Sequence, residues 1–148
     1  MNGECLTDLG IEVLQNAKRL YLEKHPLATT EQLGLYAYLS HQRIPSPACC
    51  FYYLDRKHRL LEREILYSGI TLPVEECCAH LEQTIRVRQA AYAVVSMARS
   101  HTGLEGEDLD RASRIALFCR AQGIPLLEIL WVDAEGYLPV CRYFGQDE

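Results

Sequence analysis

Residues 90–112, AAYAVVSMARSHTGLEGEDLDRA, contain the strand, loop and helix that decide the fold class. The apolar run is typical of a buried β-strand, and the apolar positions after Asp108 recur at helical spacing. The loop and helix start between them carry one histidine, one arginine and four carboxylates. Because α/β proteins place binding and catalytic groups on loops that follow strands, this loop is the first candidate for a functional site.

The same change of periodicity recurs on both sides of this stretch. Five strands are predicted from apolar runs bounded by turn residues: 48–54, 60–67, 91–97, 126–132 and 137–143. One helix is predicted to begin at Pro73, and another to begin near Asp108 and end at Gly123. The resulting order, ββαβαββ, predicts an α/β fold in which helices cover a mixed sheet.

Two further helices are predicted before the first strand. Residues 7–24 carry an apolar stripe with spacings of three and four, with Thr7 as the cap and Pro26 as the stop. The stripe consists of Gly10, Val13, Leu14, Ala17, Leu20 and Tyr21. The sequence 29–32, TTEQ, resembles a capping box that opens a second helix through about Leu39. We therefore divide the chain into a helical lead, 1–47, and an α/β unit, 48–148, that together form a single compact domain.

Charge and composition narrow the class of protein. The 148 residues carry 15 basic and 20 acidic side chains, and the net charge of −5 disfavours a protein that binds nucleic acid without sequence preference. No apolar stretch is long enough for a membrane span, and the N-terminus lacks the features of a signal peptide, so we expect a cytoplasmic protein. The seven cysteines lack zinc-site spacing, and we interpret them as reduced, buried apolar side chains.

Several segments, taken in order, resemble the RadC-like JAB/MPN family. YLDRKHRLLEREILYSG, 53–69, is similar to the family's first hairpin, with its glutamate at Glu64. PVEE, 73–76, is similar to the family's helix opening, and 90–95 and 123–132 are similar to its later strands. The resemblance covers nearly the whole chain and is to the short, mobile-element members. It implies a JAB/MPN-like (cytidine-deaminase-like) mixed sheet flanked by helices and preceded by two N-terminal helices.

The resemblance also assigns positions to a zinc site. In the family's enzymes two histidines, spaced H-x-H, and a later aspartate bind zinc, and a glutamate acts as general base on the zinc-bound water. When the loop is aligned on Gly103, the histidine positions are Ala98 and Ser100 and the aspartate position falls near Arg111. The family's Asp-His pair on the fourth strand reads Glu128-Ile129.

A one-residue deletion in the loop gives a second alignment, in which Arg99 and His101 take the histidine positions. Neither alignment keeps both histidines, and only Glu64 remains from the catalytic set. The resemblance therefore implies a catalytically inactive protein without a metal, in which Glu64 is a relic of the general base. Arg99 in place of a ligand is predicted to form an ion pair with Glu64 across the emptied pocket. We take four residues as candidate binding residues: Glu64, Arg99, Ser100 and His101.

A rearranged metal site is the first alternative. His101 with Asp108, Asp110 or Glu64 would bind zinc and restore a hydrolase or isopeptidase. The simpler interpretation of Asp108 and Asp110 is that carboxylates are favoured in the first turn of a helix. Glu64 could equally be a surface residue on the exposed side of a strand.

A nucleic-acid interface is the second alternative. Arg56, Lys57 and Arg59 form a basic hairpin turn, for which the simpler interpretation is a solvated turn. Aromatic side chains are enriched at protein interfaces. We consider five of them as candidate interface residues: Tyr36, Tyr38, Phe51, Tyr52 and Tyr53.

Three functional hypotheses follow from the sequence. The first is an inactive JAB/MPN-type scaffold that binds a protein partner or a second copy of itself. The resemblance implies that such a protein comes from a phage or mobile element and modulates a defence system. The second is a zinc hydrolase with a rearranged site, and the third is a DNA-associated accessory protein.

Overall fold

The computed structural model describes residues 3–42, 44, 47–67, 73–98 and 106–141, with the backbone alone at 3–9 and 67. The described residues form four helices and five strands. In chain order these are α1 (Gly3–Glu23), α2 (Thr30–His41), β1 (Ala48–Leu54), β2 (Leu60–Tyr67), α3 (Val74–Arg88), β3 (Tyr92–Ala98), α4 (Gly106–Gln122), β4 (Leu126–Asp133) and β5 (Gly136–Pro139). The predicted order ββαβαββ after two leading helices is confirmed.

The five strands form one mixed, open sheet in the order β2-β1-β3-β4-β5. β1 pairs antiparallel with both β2 and β3, and β4 pairs antiparallel with β5. β3 and β4 are parallel, and α4 connects them. A helix is the usual connection between parallel neighbours, because the chain must return to the end of the sheet at which the first strand began. The fold is therefore α/β, with helices packed on both faces of the sheet.

Alternate residues of the interior strand β1 face opposite layers, and every residue of β1 is buried. Cys49, Phe51 and Tyr53 belong to the core between the sheet and α3 and α4. Tyr52 and Leu54 belong to the core between the sheet and the N-terminal helices. Burial on both faces explains why β1 is an uninterrupted apolar run instead of an alternating one.

Local signals fix the ends of three helices. Thr29 accepts a hydrogen bond from the backbone of Gln32, whose side chain accepts one from the backbone of Thr29, so the predicted capping box is confirmed. α3 is followed by its C-cap Gln89, which has a φ of 54° in the left-handed region. α4 is followed by Gly123 with a φ of +71°, as a C-terminal glycine cap requires.

Several predicted boundaries were wrong. α1 begins at Gly3, so Thr7 lies inside the helix and is not its cap. Pro73 is the N-cap of α3 instead of its first residue. β5 ends at Pro139, and the end of the strand predicted at 137–143 lies outside the described residues. The N–H of Val140 still donates to the carbonyl of Ile129, which continues the register of β5 against β4 by one residue.

The prediction of an aromatic interface is also wrong for four of its five residues. Tyr36, Phe51, Tyr52 and Tyr53 are at most 1% exposed and fill the two cores. Tyr38 is partly exposed, and its hydroxyl donates to the carbonyl of Ala134 over a distance of 3.3 Å. Burial in the sheet layers outweighs the interface preference of aromatic side chains here, because β1 is covered on both faces.

No described helix is long and apolar enough to cross a membrane.

The contact between α2 and β5 depends on a glycine. A Cβ atom added at Gly34 would lie 2.1 Å from Cε2 of Tyr137, whereas one added at Gly10 would meet nothing within 4 Å. We predict that Gly34→Ala lowers the free energy of unfolding by roughly 1–3 kcal/mol, because the Tyr137 ring must move. Gly10→Ala is the matched control and should raise it by about 0.5–1 kcal/mol through helix propensity. Denaturant unfolding measures both, and an equal effect of the two substitutions would contradict this packing.

Candidate functional site

Glu64, the proposed relic of the general base, lies on the edge strand β2 and faces α3. Its Oε1 atom is 2.8 Å from Nε2 of His80. The sheet register places Glu64 beside Phe51, which lies beside Val95, three residues before the end of β3 at Ala98. At 3.3 Å per residue, Glu64 is displaced by roughly 10 Å along the strands from the start of the candidate loop. The nearest described partner of Glu64 is therefore a residue of α3.

Aromatic side chains surround the pair formed by Glu64 and His80. The His80 ring lies 5.5 Å from the Phe51 ring between centroids. The Tyr53 hydroxyl is buried beside Thr84 and Glu64 and makes no hydrogen bond of standard geometry to the described residues. Burial raises the pKa of Tyr53 above its usual value, and the charge of Glu64 adds to this effect. A carboxylate in this position orients the imidazole and ties β2 to α3.

The loop after β3 is only partly within the described residues. Three candidate binding residues lie outside them: Arg99, Ser100 and His101. The predicted ion pair between Arg99 and Glu64 therefore lies outside them too. Ala98, at the first histidine position, is buried at the end of β3. Asp108 is buried in the first turn of α4, and Asp110 is exposed on the same helix.

The described residues do not fit a three-ligand zinc site of the JAB type. Within 3–42, 44, 47–67, 73–98 and 106–141, no three histidine, cysteine or acidic side chains are close enough to hold one metal ion. Glu128, which stands at the family's Asp-His position, accepts hydrogen bonds from the backbone N–H groups of Ile129 and Cys141. Glu128 thereby fixes the backbone at the end of the sheet.

In the basic hairpin turn, part of the positive charge is paired with a carboxylate of the same turn. Asp55 accepts hydrogen bonds from the backbone N–H groups of Arg59 and Lys57, and these lower the pKa of its carboxyl group. The Arg59 guanidinium lies 3.3 Å from the same carboxylate. Arg56 and Lys57 are exposed at the tip of the turn. The nucleic-acid hypothesis stays a prediction.

A buried polar cluster on the opposite face of the sheet was not predicted from the sequence. The Ser96 hydroxyl is fully buried and lies 2.7 Å from Nε2 of His41 and 2.7 Å from the Tyr52 hydroxyl oxygen. One hydroxyl has a donor and two acceptor sites, so Ser96 satisfies both neighbours. Nδ1 of His41 has no hydrogen-bond partner among the described residues. Only a serine inside an apolar strand and a histidine ending a helix signalled this cluster.

Burial sets the protonation state of this cluster. It lowers the pKa of His41 to about 4, and the nearby positive charge of Arg63 contributes. Burial likewise raises the pKa of Tyr52. Arg63 donates to Oγ of Ser40 over 3.2 Å, and its guanidinium lies 4.0 Å from the carboxylate of Glu23. The cluster therefore joins α2 to the sheet with His41 neutral at pH 7.

Glu23 connects α1 to this polar layer. Its Oε2 atom accepts hydrogen bonds from the Tyr36 hydroxyl and from Arg19, both at 2.6 Å. Burial raises the pKa of Tyr36, and the bond to Glu23 raises it further. Together with buried Leu22, these contacts attach the C-terminal end of α1 to the protein.

The cysteines match the interpretation made from the sequence in the part of the chain where side chains are described. Five are buried and Cys141 is partly buried, and all six are free thiols. Cys49 on β1 lies beside Cys77 on α3, and the hydrogen bond between them raises the pKa of Cys49 and lowers that of Cys77. Cys5 lies outside the described side chains.

The predicted apolar stripe of α1 is exposed, which reverses the usual arrangement of a surface helix. Val13, Leu14 and Tyr21 are 65%, 71% and 59% exposed. The less exposed side of the helix is formed mostly by polar residues: Gln15, Arg19, Leu22 and Glu23. α1 therefore has a polar inner side and an apolar outer side. Sequence periodicity located the stripe, but it did not indicate which way the stripe faces.

No known family model matches the sequence, and no curated protein matches it.

The depressed pKa of His41 predicts how stability depends on pH. The unfolded chain binds the proton near pH 6.5, whereas the folded chain binds it near pH 4. Stability is thus complete above pH 6.5 and is lost as the pH falls toward 4, by about 2 kcal/mol between pH 7 and pH 5. Urea unfolding at both pH values measures this loss. In His41→Gln the loss should shrink by that amount, and an unchanged loss would contradict the burial of a neutral His41.

The hydrogen bond between Glu64 and His80 predicts thermodynamic coupling. In a double-mutant cycle with Glu64→Gln and His80→Gln at pH 7, we expect a coupling energy of about 1 kcal/mol, measured by urea unfolding. A matched cycle between Glu64→Gln and Lys57→Gln, at the hairpin tip, should show additive effects. Additive effects in both cycles would show that the two side chains do not interact.

Proposed function

We propose that this chain is a RadC-like JAB/MPN-type protein without hydrolase activity that acts as a protein-binding module. The observation that carries the proposal is the outer side of α1, where apolar side chains are exposed along one continuous stripe. Scattered exposed apolar residues are normal in folded proteins, but contiguous ones mark interaction surfaces. The binding surface is defined as the α1 stripe: Val13, Leu14, Ala17, Leu20 and Tyr21.

The order of elements supports the RadC-like part of the proposal. The resemblance implies two leading helices, a hairpin, a helix, a strand, a loop and helix, and a closing hairpin. The structure has this order, and its sheet is mixed with helices on both faces. Fold likeness alone carries no function, so the functional part depends on particular residues.

Two positions support the loss of hydrolase chemistry. Ala98 stands at the first histidine position of the direct alignment, and its methyl group cannot bind a metal. Glu64 is hydrogen-bonded to His80 on α3. A general base of the JAB type needs a metal-bound water within hydrogen-bond reach.

Exposure elsewhere on the surface supports the choice of α1 for binding. Among the described side chains, large apolar residues are also exposed at Leu61, Ile65, Val87 and Leu117. These lie on β2, α3 and α4, at one or two positions in each element. α1 exposes five, at Ile11, Val13, Leu14, Leu20 and Tyr21. The surface apolar residues are thus concentrated on one helix.

Site-specific photocrosslinking tests the proposal. A photoreactive phenylalanine analogue replaces Leu14 in the full chain, and cells producing it are irradiated. We expect a discrete adduct, either with a second copy of the chain or with another protein, since position 14 is 71% exposed within the stripe. Leu117 on α4 is 55% exposed and serves as the matched control position, where we expect no discrete adduct.

Two results would overturn the proposal. The absence of a discrete adduct at position 14, or equal adducts at both positions, would contradict binding through α1. Near-stoichiometric zinc in protein purified without chelators, lost in the Glu64→Ala, His101→Ala double variant, would favour the hydrolase instead. Metal analysis of the same preparations distinguishes these outcomes.

A further inference from the structure

Two thiols meet at one end of the sheet. Cys49 is near the start of β1, and Cys77 lies in the first turn of α3. A hydrogen bond joins the two thiols, and both residues belong to the core between the sheet and α3 and α4. A disulfide bond brings two sulfur atoms to about 2.05 Å, so thiols in hydrogen-bond contact need only a small further approach to form one.

The end of the sheet that holds this pair is also the end from which two helices begin. β2 ends at Tyr67, which pairs with Ala48 at the start of β1, and Ala48 pairs with Ala98 at the end of β3. α3 follows β2 and α4 follows β3, so both helices run away from this end. The N-terminus of a helix carries a partial positive charge, which stabilises a nearby thiolate. The positive charge of Arg111, on α4, acts on both thiols in the same sense.

The two thiols differ in how readily they ionise. The hydrogen bond with Cys49 lowers the pKa of Cys77, and Arg111 adds to this effect, whereas burial and the carboxylate of Glu76 act against it. The same hydrogen bond, together with burial, raises the pKa of Cys49. The thiolate is the nucleophilic form of cysteine. Cys77 is therefore suited to attack an oxidant, and Cys49 is suited to be the second thiol.

The other cysteines whose side chains are described lack this combination. Burial raises the pKa of Cys50 and Cys78 to about 11, and that of Cys119 and Cys141 to about 12. Cys50 is next to Cys49 in the chain, but it belongs to the core on the other face of the sheet. Cys78 occupies the following position of α3. Cys50 and Cys78 therefore provide matched controls.

Burial restricts the oxidant that can reach the pair. Cys77 is 1% exposed and Cys49 is 8% exposed, which excludes bulky disulfides and leaves a molecule of about the size of water. α3 begins after Pro73, which makes no side-chain capping hydrogen bond. A helix start without such a cap opens more readily than a capped one, and this opening gives a small molecule access to the first turn. Hydrogen peroxide is small and uncharged, so it meets both requirements.

We propose that Cys49 and Cys77 form a peroxide-reactive dithiol that closes to a reversible disulfide bond between β1 and α3. The Cys77 thiolate attacks one oxygen of hydrogen peroxide, the O–O bond breaks, and a sulfenic acid forms while hydroxide leaves and is protonated to water. The Cys49 sulfur then attacks the sulfenic sulfur, the S–O bond breaks, and hydroxide leaves with the Cys49 proton as a second water. Two thiols lose two electrons in total, and one peroxide molecule gains them. This chemistry is independent of the proposed binding through α1.

Disulfide mapping of the purified full chain tests the dithiol. The reduced protein is treated with a small molar excess of hydrogen peroxide in native buffer, the free thiols are alkylated, and the linked peptides are sequenced by fragmentation in a mass spectrometer. We expect a linkage between Cys49 and Cys77 with the loss of two free thiols per chain, and dithiothreitol should restore both thiols. This map requires no substitution, so it remains decisive if a variant fails to fold.

Alanine variants separate the roles of the two thiols. In Cys49→Ala the sulfenic acid at Cys77 has no second thiol to attack it, and dimedone should label it. Cys77→Ala should lose both the linkage and the label, because the remaining thiol is protonated. Cys50→Ala and Cys78→Ala are the matched controls and should form the linkage as the unsubstituted chain does.

Several results would overturn the dithiol. These are two thiols that stay reduced in native buffer, a disulfide between any other pair of cysteines, and loss of the linkage in either matched control. A dimedone label on Cys49 in Cys77→Ala would overturn the assignment of Cys77 as the nucleophile.

Discussion

The burial of β1 on both faces is the constraint on which the rest of the structure depends. All seven of its residues are buried, and their alternation divides the protein into two cores. A sheet with two apolar faces is stable in water only if helices cover both. The chain meets this requirement with α3 and α4 on one face and with α2 and the end of α1 on the other. Without the N-terminal helices, one face of β1 would lie in water.

The same constraint explains the polar cluster around Ser96. An apolar layer that contains a hydroxyl and an imidazole must pair them, because an unpaired buried polar group costs about 1–3 kcal/mol. Ser96 pairs with the Tyr52 hydroxyl and with Nε2 of His41 where α2 ends on the sheet. Strand β2, in contrast, lies at the edge of the sheet and can carry charged side chains, since one of its sides borders solvent. Its Glu64 side chain pairs with His80 in the middle of α3, and Glu62 forms an ion pair with Arg88 at the C-terminal end of the same helix.

The order of elements could be predicted from the sequence because each one carries a local signal. The run 48–54, the capping box at Thr29 and the glycine cap at Gly123 are all short-range patterns, and all three match the structure. The contacts that define the candidate site are long-range. Glu64 and His80 are 16 residues apart, and His41 and Ser96 are 55 apart. No spacing in the sequence indicates such pairs, because they arise only when helices dock on the sheet.

The orientation of α1 was the other feature that periodicity could not supply. A helical stripe predicts an apolar side, but it does not distinguish a stripe that faces its own core from one that faces a partner. Isolated helices are marginal in water, and most helical stability comes from packing of the apolar side. Among the side chains of α1 that the structure describes, 10–23, the buried apolar one is Leu22, at the C-terminal end. If a partner covers the exposed part of the helix, as proposed, it would supply packing that the domain itself does not, and partner binding and helix stability would then be thermodynamically linked.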